Sequence, residues 1–134
     1  MDMLLDTNIV SYWMRGDEQI ISKMQSCRPC ELAISTITVA EILFGIEKSS
    51  SRKKERMNKL DHIRSLIEII PFDVVAAEQY GKIRSYLEKN GISISERNTQ
   101  IASIALAYGR VVITHNTKEF KRVPGLVVED WKED

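Results

Sequence analysis

Five apolar runs, Met3-Leu4-Leu5, Leu32-Ala33-Ile34, Ile69-Ile70-Pro71-Phe72, Val111-Val112-Ile113 and Leu126-Val127-Val128, recur along the chain, and most are separated by stretches of helical periodicity. Three or four consecutive apolar residues suit a strand buried on both faces. Strands alternating with helices suit a parallel sheet, because parallel neighbours need a crossover connection. The expected fold class is therefore α/β, with a short central parallel sheet and helices on both faces. After the first run, Ile9-Val10-Tyr12-Trp13 predicts a helix capped by Thr7 or Asn8 and broken at Gly16-Asp17. A short helix is expected over 19–25. Ser35-Thr36 offers capping hydroxyls to a helix carrying Ile37, Ala40, Glu41, Phe44 and Gly45. The polar stretch 49–54 reads as a loop, and Met57, Leu60, Ile63, Leu66 and Ile67 mark the helix after it. Val75, Ala76, Tyr80, Ile83 and Leu87 mark another, stopped by Asn90-Gly91, and Ile101, Ala102, Ile104, Ala105 and Tyr108 a third. No repeat, low-complexity tract or linker divides the 134 residues, so 1–134 is read as one domain.

The 19 basic and 19 acidic residues cancel. No whole-molecule field then attracts nucleic acid, and any such contact must come from a local patch or a bound metal. A net charge near zero also favours self-association or a permanent partner. The first residues lack a basic segment followed by a long apolar one, and no run approaches the roughly 20 apolar residues of a membrane span. A cytoplasmic protein with no membrane association is expected. Cys27 and Cys30 form a C-x-x-C, but the pair follows a helical stretch and precedes a strand, and no second pair completes a zinc site. They are read as cysteines flanking a turn.

In an open parallel sheet, sites form at the carboxyl ends of the strands. Asp6 ends the first run, and Thr114, His115 and Asn116 follow the fourth directly. Glu41 lies one to two turns into the helix leaving the second run. Asn98 opens the helix leading into the fourth, and Glu119 falls three residues after Asn116. Singly, each has an ordinary role: Asp6, Asn98 and Asn116 as helix caps, Glu119 as a charge near a helix start, Glu41 as an acid at the core edge, His115 as a loop histidine. Their convergence on one rim argues for function, since gathered acids repel unless a divalent cation neutralises them.

Leu4-Leu5-Asp6-Thr7-Asn8, the block from Ser35 through Ala40-Glu41 to Gly45, Ile113-Thr114-His115-Asn116-Thr117-Lys118-Glu119-Phe120, and Pro124-Gly125-Leu126 with Glu129-Asp130-Trp131 together resemble the PIN-domain ribonucleases, above all the VapC-type toxins of bacterial toxin–antitoxin pairs. The blocks span nearly the whole chain in the family's order. The resemblance implies a PIN domain, Mg²⁺ (or Mn²⁺) as cofactor, endonucleolytic cleavage of RNA, a cognate antitoxin covering the acidic rim, and a homodimer. It also implies a quartet of acidic positions. Asp6 takes the first and Glu41 the second, Asn98 stands at the third, Asn116 at the fourth, and Glu119 is an additional acid.

An asparagine at the third position departs from the family pattern. An amide oxygen can ligate but carries no charge, so weaker metal binding and impaired hydrolysis are expected, with little change of shape. Asp6 and an acid at 98 would hold the metal. Glu41 would position the attacking water or bind the metal through one, and Glu119 would assist a second metal. Thr7, Asn8, Thr114 and Asn116 would support the arrangement. The alternative is a non-catalytic PIN module that binds antitoxin or RNA without cleaving. A phosphotransfer domain fits poorly, because Asn8 stands where a second acid is wanted and no lysine follows Ile113; a thiol oxidoreductase on Cys27 and Cys30 fits less. Arg52, Lys53, Lys54, Arg56 and Lys59 are read as a solvated helix face rather than a path for RNA, since acids lie nearby. Tyr12-Trp13 and Phe44 suit either a partner surface or the core.

Overall fold

A computed structural model describes residues 1–132. The chain runs β1 (Met3–Leu5), α1 (Thr7–Met14), α2 (Glu18–Gln25), a 3-10 turn (Pro29–Glu31), β2 (Leu32–Ser35), α3 (Thr36–Lys48), α4 (Lys53–Leu66), β3 (Glu68–Ile70), α5 (Val74–Lys89), α6 (Glu96–Ala107), β4 (Val111–Ile113), α7 (Thr117–Phe120) and β5 (Val128–Glu129). The strands form one sheet in the order β3-β2-β1-β4-β5, every neighbour pair parallel. Leu4 lies opposite Ala33 on one side and Val112 on the other. Among the described residues no helix is long and apolar enough to cross a membrane.

Strand residues alternate between faces. Met3, Leu5, Ile34, Val111 and Ile113 pack with Ile9 and Val10 of α1, Ile20 of α2, Ile63 of α4 and Trp131. Leu4, Ala33 and Val112 turn the other way, onto Ala76, Ile83 and Leu87 of α5, Ile101 to Ala105 of α6, and Phe120 of α7. Helices thus cover both faces, as the short uninterrupted apolar strands require. Tyr12 and Trp13 pack against the core from its margin, whereas Phe44 is exposed. Cys27 and Cys30 are free thiols at the 3-10 turn.

Several boundaries differ from expectation for local reasons. β3 ends at Ile70 and leaves out Pro71 and Phe72, since proline has no N–H to offer a ladder. Before β5, the Leu126 N–H closes a turn onto the Val123 carbonyl, so pairing starts at Val128. Asp6, rather than Thr7 or Asn8, caps α1: it leaves the strand with extended backbone and its carboxylate accepts from the Ile9 N–H. Ser95 caps α6, which puts Asn98 inside the first turn. Helix α4 begins at Lys53, within the stretch expected to be loop, and Arg52 occupies its cap in the left-handed region, φ 60°, with no side-chain cap bond. Arg52 is the one non-glycine with positive φ among the described residues.

The strand order reverses at β1. β2 and β3 add on one side of it, β4 and β5 on the other, so the connections after β1 and β4 diverge and leave a crevice at the carboxyl end of the sheet.

Candidate active site

At that crevice the chain leaves β1 through Asp6, which is only 3% exposed. Its N–H extends the ladder to the Ile113 carbonyl at 3.0 Å. One carboxylate oxygen, Oδ1, accepts from the Ile9 N–H at 3.0 Å, and Oδ2 accepts from the Thr114 hydroxyl at 2.5 Å. No basic side chain pairs with Asp6 among the described residues. Burial pushes its carboxyl up to about 6, against the pull of the Thr114 and Ile9 hydrogen bonds, and the negative charge of Glu41 adds to the rise. This is a buried acid with no internal counter-charge.

From Thr114 a chain of contacts runs along the rim. Its buried Oγ1 donates to Asp6 and accepts from the Asn116 N–H at 2.8 Å. The Asn116 amide donates to Oε2 of Glu119 at 2.9 Å, and Oε1 of Glu119 accepts from the Ser95 N–H at 2.6 Å. Burial raises the Glu119 carboxyl, but the donors from the Ser95 backbone and from Asn116, Asn98 and Ser95 side chains outweigh it and hold the group below its ordinary range. Asn98 joins α6 to this chain through its own N–H to the Ser95 hydroxyl at 3.2 Å, and its amide helps to hold the Glu119 carboxyl down. Asn116 stands at the cap of α7 but spends its side chain on Glu119 instead of the helix.

A second chain reaches Glu41 from β2. The Thr7 hydroxyl donates to Oε1 of Glu41 at 2.7 Å and also meets Thr38 Oγ1 at 3.1 Å, while the Ser35 hydroxyl lies 3.4 Å from Thr38 Oγ1. Each hydroxyl has one proton. With the proton of Thr7 given to Glu41, Thr38 must donate to Thr7 and Ser35 to Thr38, so the relay has one direction. The other oxygen of Glu41 meets Arg97 Nη1 at 2.6 Å; Glu41 is 17% exposed there and Arg97 64%. The neighbours Asp6–Thr7 and Arg97–Asn98 close the two chains into one circuit.

The structure thus brings together Asp6, Thr7, Glu41, Asn98, Thr114, Asn116 and Glu119. Asn8 is exposed and contributes its backbone N–H to Asp6. His115 faces Asp130 at 3.1 Å and meets the Tyr12 ring in an edge-to-face pair. Sequence reasoning missed Thr38, Ser95 and Arg97. The signals were present: Thr38 lies one helical turn before Glu41, Ser95 stands three residues before Asn98 as a cap does, and Arg97 adjoins it.

Among the described residues no three acidic, histidine or cysteine side chains come close enough to hold an ion unaided. The donors are nevertheless all oxygens of the hard kind that Mg²⁺ prefers, and the buried Asp6 charge is one that a cation would compensate. The set fits a magnesium-type ion in kind, with Asn98 bringing an amide oxygen and no charge.

The PIN domain family model matches residues 3–126. Ribonuclease VapC2 of Rickettsia felis is 36% identical over 138 residues, covering 98% of each chain. The tRNA(fMet)-specific endonuclease VapC of Salmonella typhimurium is 30% identical over 131 residues, again 98% of each. The crystal structure of Rickettsia felis VapBC2 bound to a DNA fragment from their promoter superposes with a TM-score of 0.90 at 34% identity, over 98% of this chain and all of that one.

Proposed function

The chain belongs to the PIN-domain family, in its VapC-type branch, and on that premise we propose that it is an RNA endonuclease toxin neutralised by a protein antitoxin, dependent on Mg²⁺ or Mn²⁺ and attenuated by Asn98. The observation that carries this reading is Asp6. A carboxylate buried to 3% exposure without a cationic partner costs stability, and such groups persist where a ligand compensates them. A divalent ion at this rim would polarise the phosphodiester and acidify a water. The protein's own part is placement. Asp6 supplies the buried charge and Thr114 with the Ile9 N–H fixes its two oxygens. Asn98 offers an amide oxygen where a second carboxylate belongs, and Glu41, held by Thr7, positions the attacking water. Asn116 and Ser95 orient Glu119 beside Asn98. RNA as substrate, an antitoxin over the rim, a homodimer and a cytoplasmic setting follow the same reading.

Asn98→Asp tests it. With Mg²⁺ the variant is expected to cleave cellular RNA at least tenfold faster than the present chain, and chelator is expected to abolish the cleavage. Absence of chelator-sensitive cleavage by the folded variant overturns the enzymatic reading. One observation favours the non-catalytic alternative: Glu41, the second acid, is already neutralised by Arg97. A variant that captures RNA or antitoxin without cutting would establish that alternative.

A further inference from the structure

A groove of about 450 Å³ opens from Glu41 between α1, α3 and α4, and its walls carry Arg15, Arg52, Arg56, Lys59 and Arg97. Five cations face two acids there, Glu41 and Glu55, on a molecule whose net charge is zero. The acids do not cancel the excess. Glu55 faces Lys59 at 3.7 Å and Glu41 faces Arg97, while Arg52 and Arg56 have no acidic side chain within ion-pair distance among the described residues. Arg52, Arg56 and Lys59 begin successive turns of one helix face. The reading of this run as a plain solvated face does not account for that arrangement.

Arg52 adds an independent sign. A helix cap prefers Ser, Asn, Asp or Gly, and the left-handed region disfavours any residue with a β-carbon except Asn and Asp. Arginine is poor on both counts, yet it holds this position with φ 60° and caps nothing. Strain retained at a groove wall points to use of the side chain.

We infer that this groove is the track along which one RNA strand is held by its phosphates, with Arg52 and Arg56 as its principal contacts. The inference rests on the RNA-cleaving reading of the rim that the groove joins. A phosphodiester strand brings one charge per nucleotide at regular intervals and carries a phosphate to the carboxylates. An acidic peptide could also meet Arg52 and Arg56, but it would bring no phosphodiester to the rim.

The test is binding of a short fluorescein-labelled single-stranded RNA of mixed sequence in chelator, with salt varied from about 50 to 200 mM. Arg52→Asn is expected to raise Tm by a few degrees, because asparagine suits both the cap and the backbone, and to weaken RNA binding several-fold. Arg52→Asn with Arg56→Gln is expected to weaken it about tenfold or more and to reduce the salt slope by about 0.7 per lost contact. Lys82→Gln with Lys89→Gln, on the exposed surface of α5, is expected to leave binding and slope as they were. No RNA binding by the unaltered chain, equal losses from both double variants, or groove changes that impair capture of an acidic peptide but not of RNA would each overturn the proposal. Failure of the catalytic reading looks different: the groove variants lose RNA while Asn98→Asp never cuts.

Discussion

Asp6 is where folding and function pull apart. In the unfolded chain its carboxyl titrates near 3.9, whereas burial raises it to about 6 in the fold. The folded state therefore holds the proton more tightly, and Asp6 favours folding most below about pH 4; that advantage is lost as pH rises through about 6. Without metal, stability from this group should fall by about 2 kcal/mol between pH 4 and pH 7. Asp6→Asn should remove that slope and raise unfolding free energy at pH 7.5 by about 1 kcal/mol, since the amide oxygen can still accept from Ile9, the amide N–H can donate to Thr114 Oγ1 in the reverse direction, and the buried charge is gone. Urea unfolding across that pH range, chelator present, measures both. An unchanged slope in the variant would show that Asp6 is not the titrating group. At this scale the sequence was informative about which residues gather at one rim and silent about how they are wired. Asp6, Glu41, Asn98, Thr114, Asn116 and Glu119 stand out because strand ends and helix starts are recognisable. Arg97 adjoins Asn98 in sequence, but its partner does not stand out, because nothing in a linear string says that a residue on α6 meets Glu41 on α3.

Helices α1 and α3 meet at the site through hydroxyls rather than through hydrocarbon. Thr38, fully buried, links Ser35 at the end of β2 to Thr7 at the start of α1. Thr38→Val preserves shape but strands a donor on Ser35 and an acceptor on Thr7. A loss of about 1–3 kcal/mol in unfolding free energy is expected. In the Asn98→Asp background, RNA cleavage should fall as well, by roughly tenfold, through looser placement of Glu41. Thermal melts and single-turnover cleavage of the paired variants measure the two effects, and a drop in stability without any drop in cleavage would make the relay purely structural. Element by element, the three central strands were legible because β1, β2 and β4 are buried on both faces and read as unbroken apolar runs. The edge strands were misjudged by a residue or two, because Glu68 of β3 is exposed, Pro71 looks like part of the same run, and Leu126 is spent on a turn. Asp6 caps α1, as one of the two readings of that residue had it, and the cap placed at Thr7 or Asn8 was one or two residues too late.

Across the whole molecule, the end of the described chain locks the first helices. Trp131 is 4% exposed in the core between the sheet and α1, α2 and α4. Beside it, Lys132 Nζ meets Asp17 at 2.5 Å and lies over the Tyr12 ring. Trp131→Ala should cost about 3 kcal/mol or more and lower Tm by roughly 10 °C. Calorimetry measures this, and a melt within a few degrees of the parent would mean that the strap is ornamental. The two-faced α/β architecture was readable from the spacing of apolar runs alone. The basic groove was not: a zero net charge conceals a local excess, and only three-dimensional placement brings Arg15, Arg56 and Arg97 to one wall. The bond between Asp6 and Thr114 joins partners 108 positions apart, and Ser95 waits on Glu119 from a later segment. A growing polypeptide therefore cannot close the rim around Asp6 and Asn98 until the segment that follows β4 has been made.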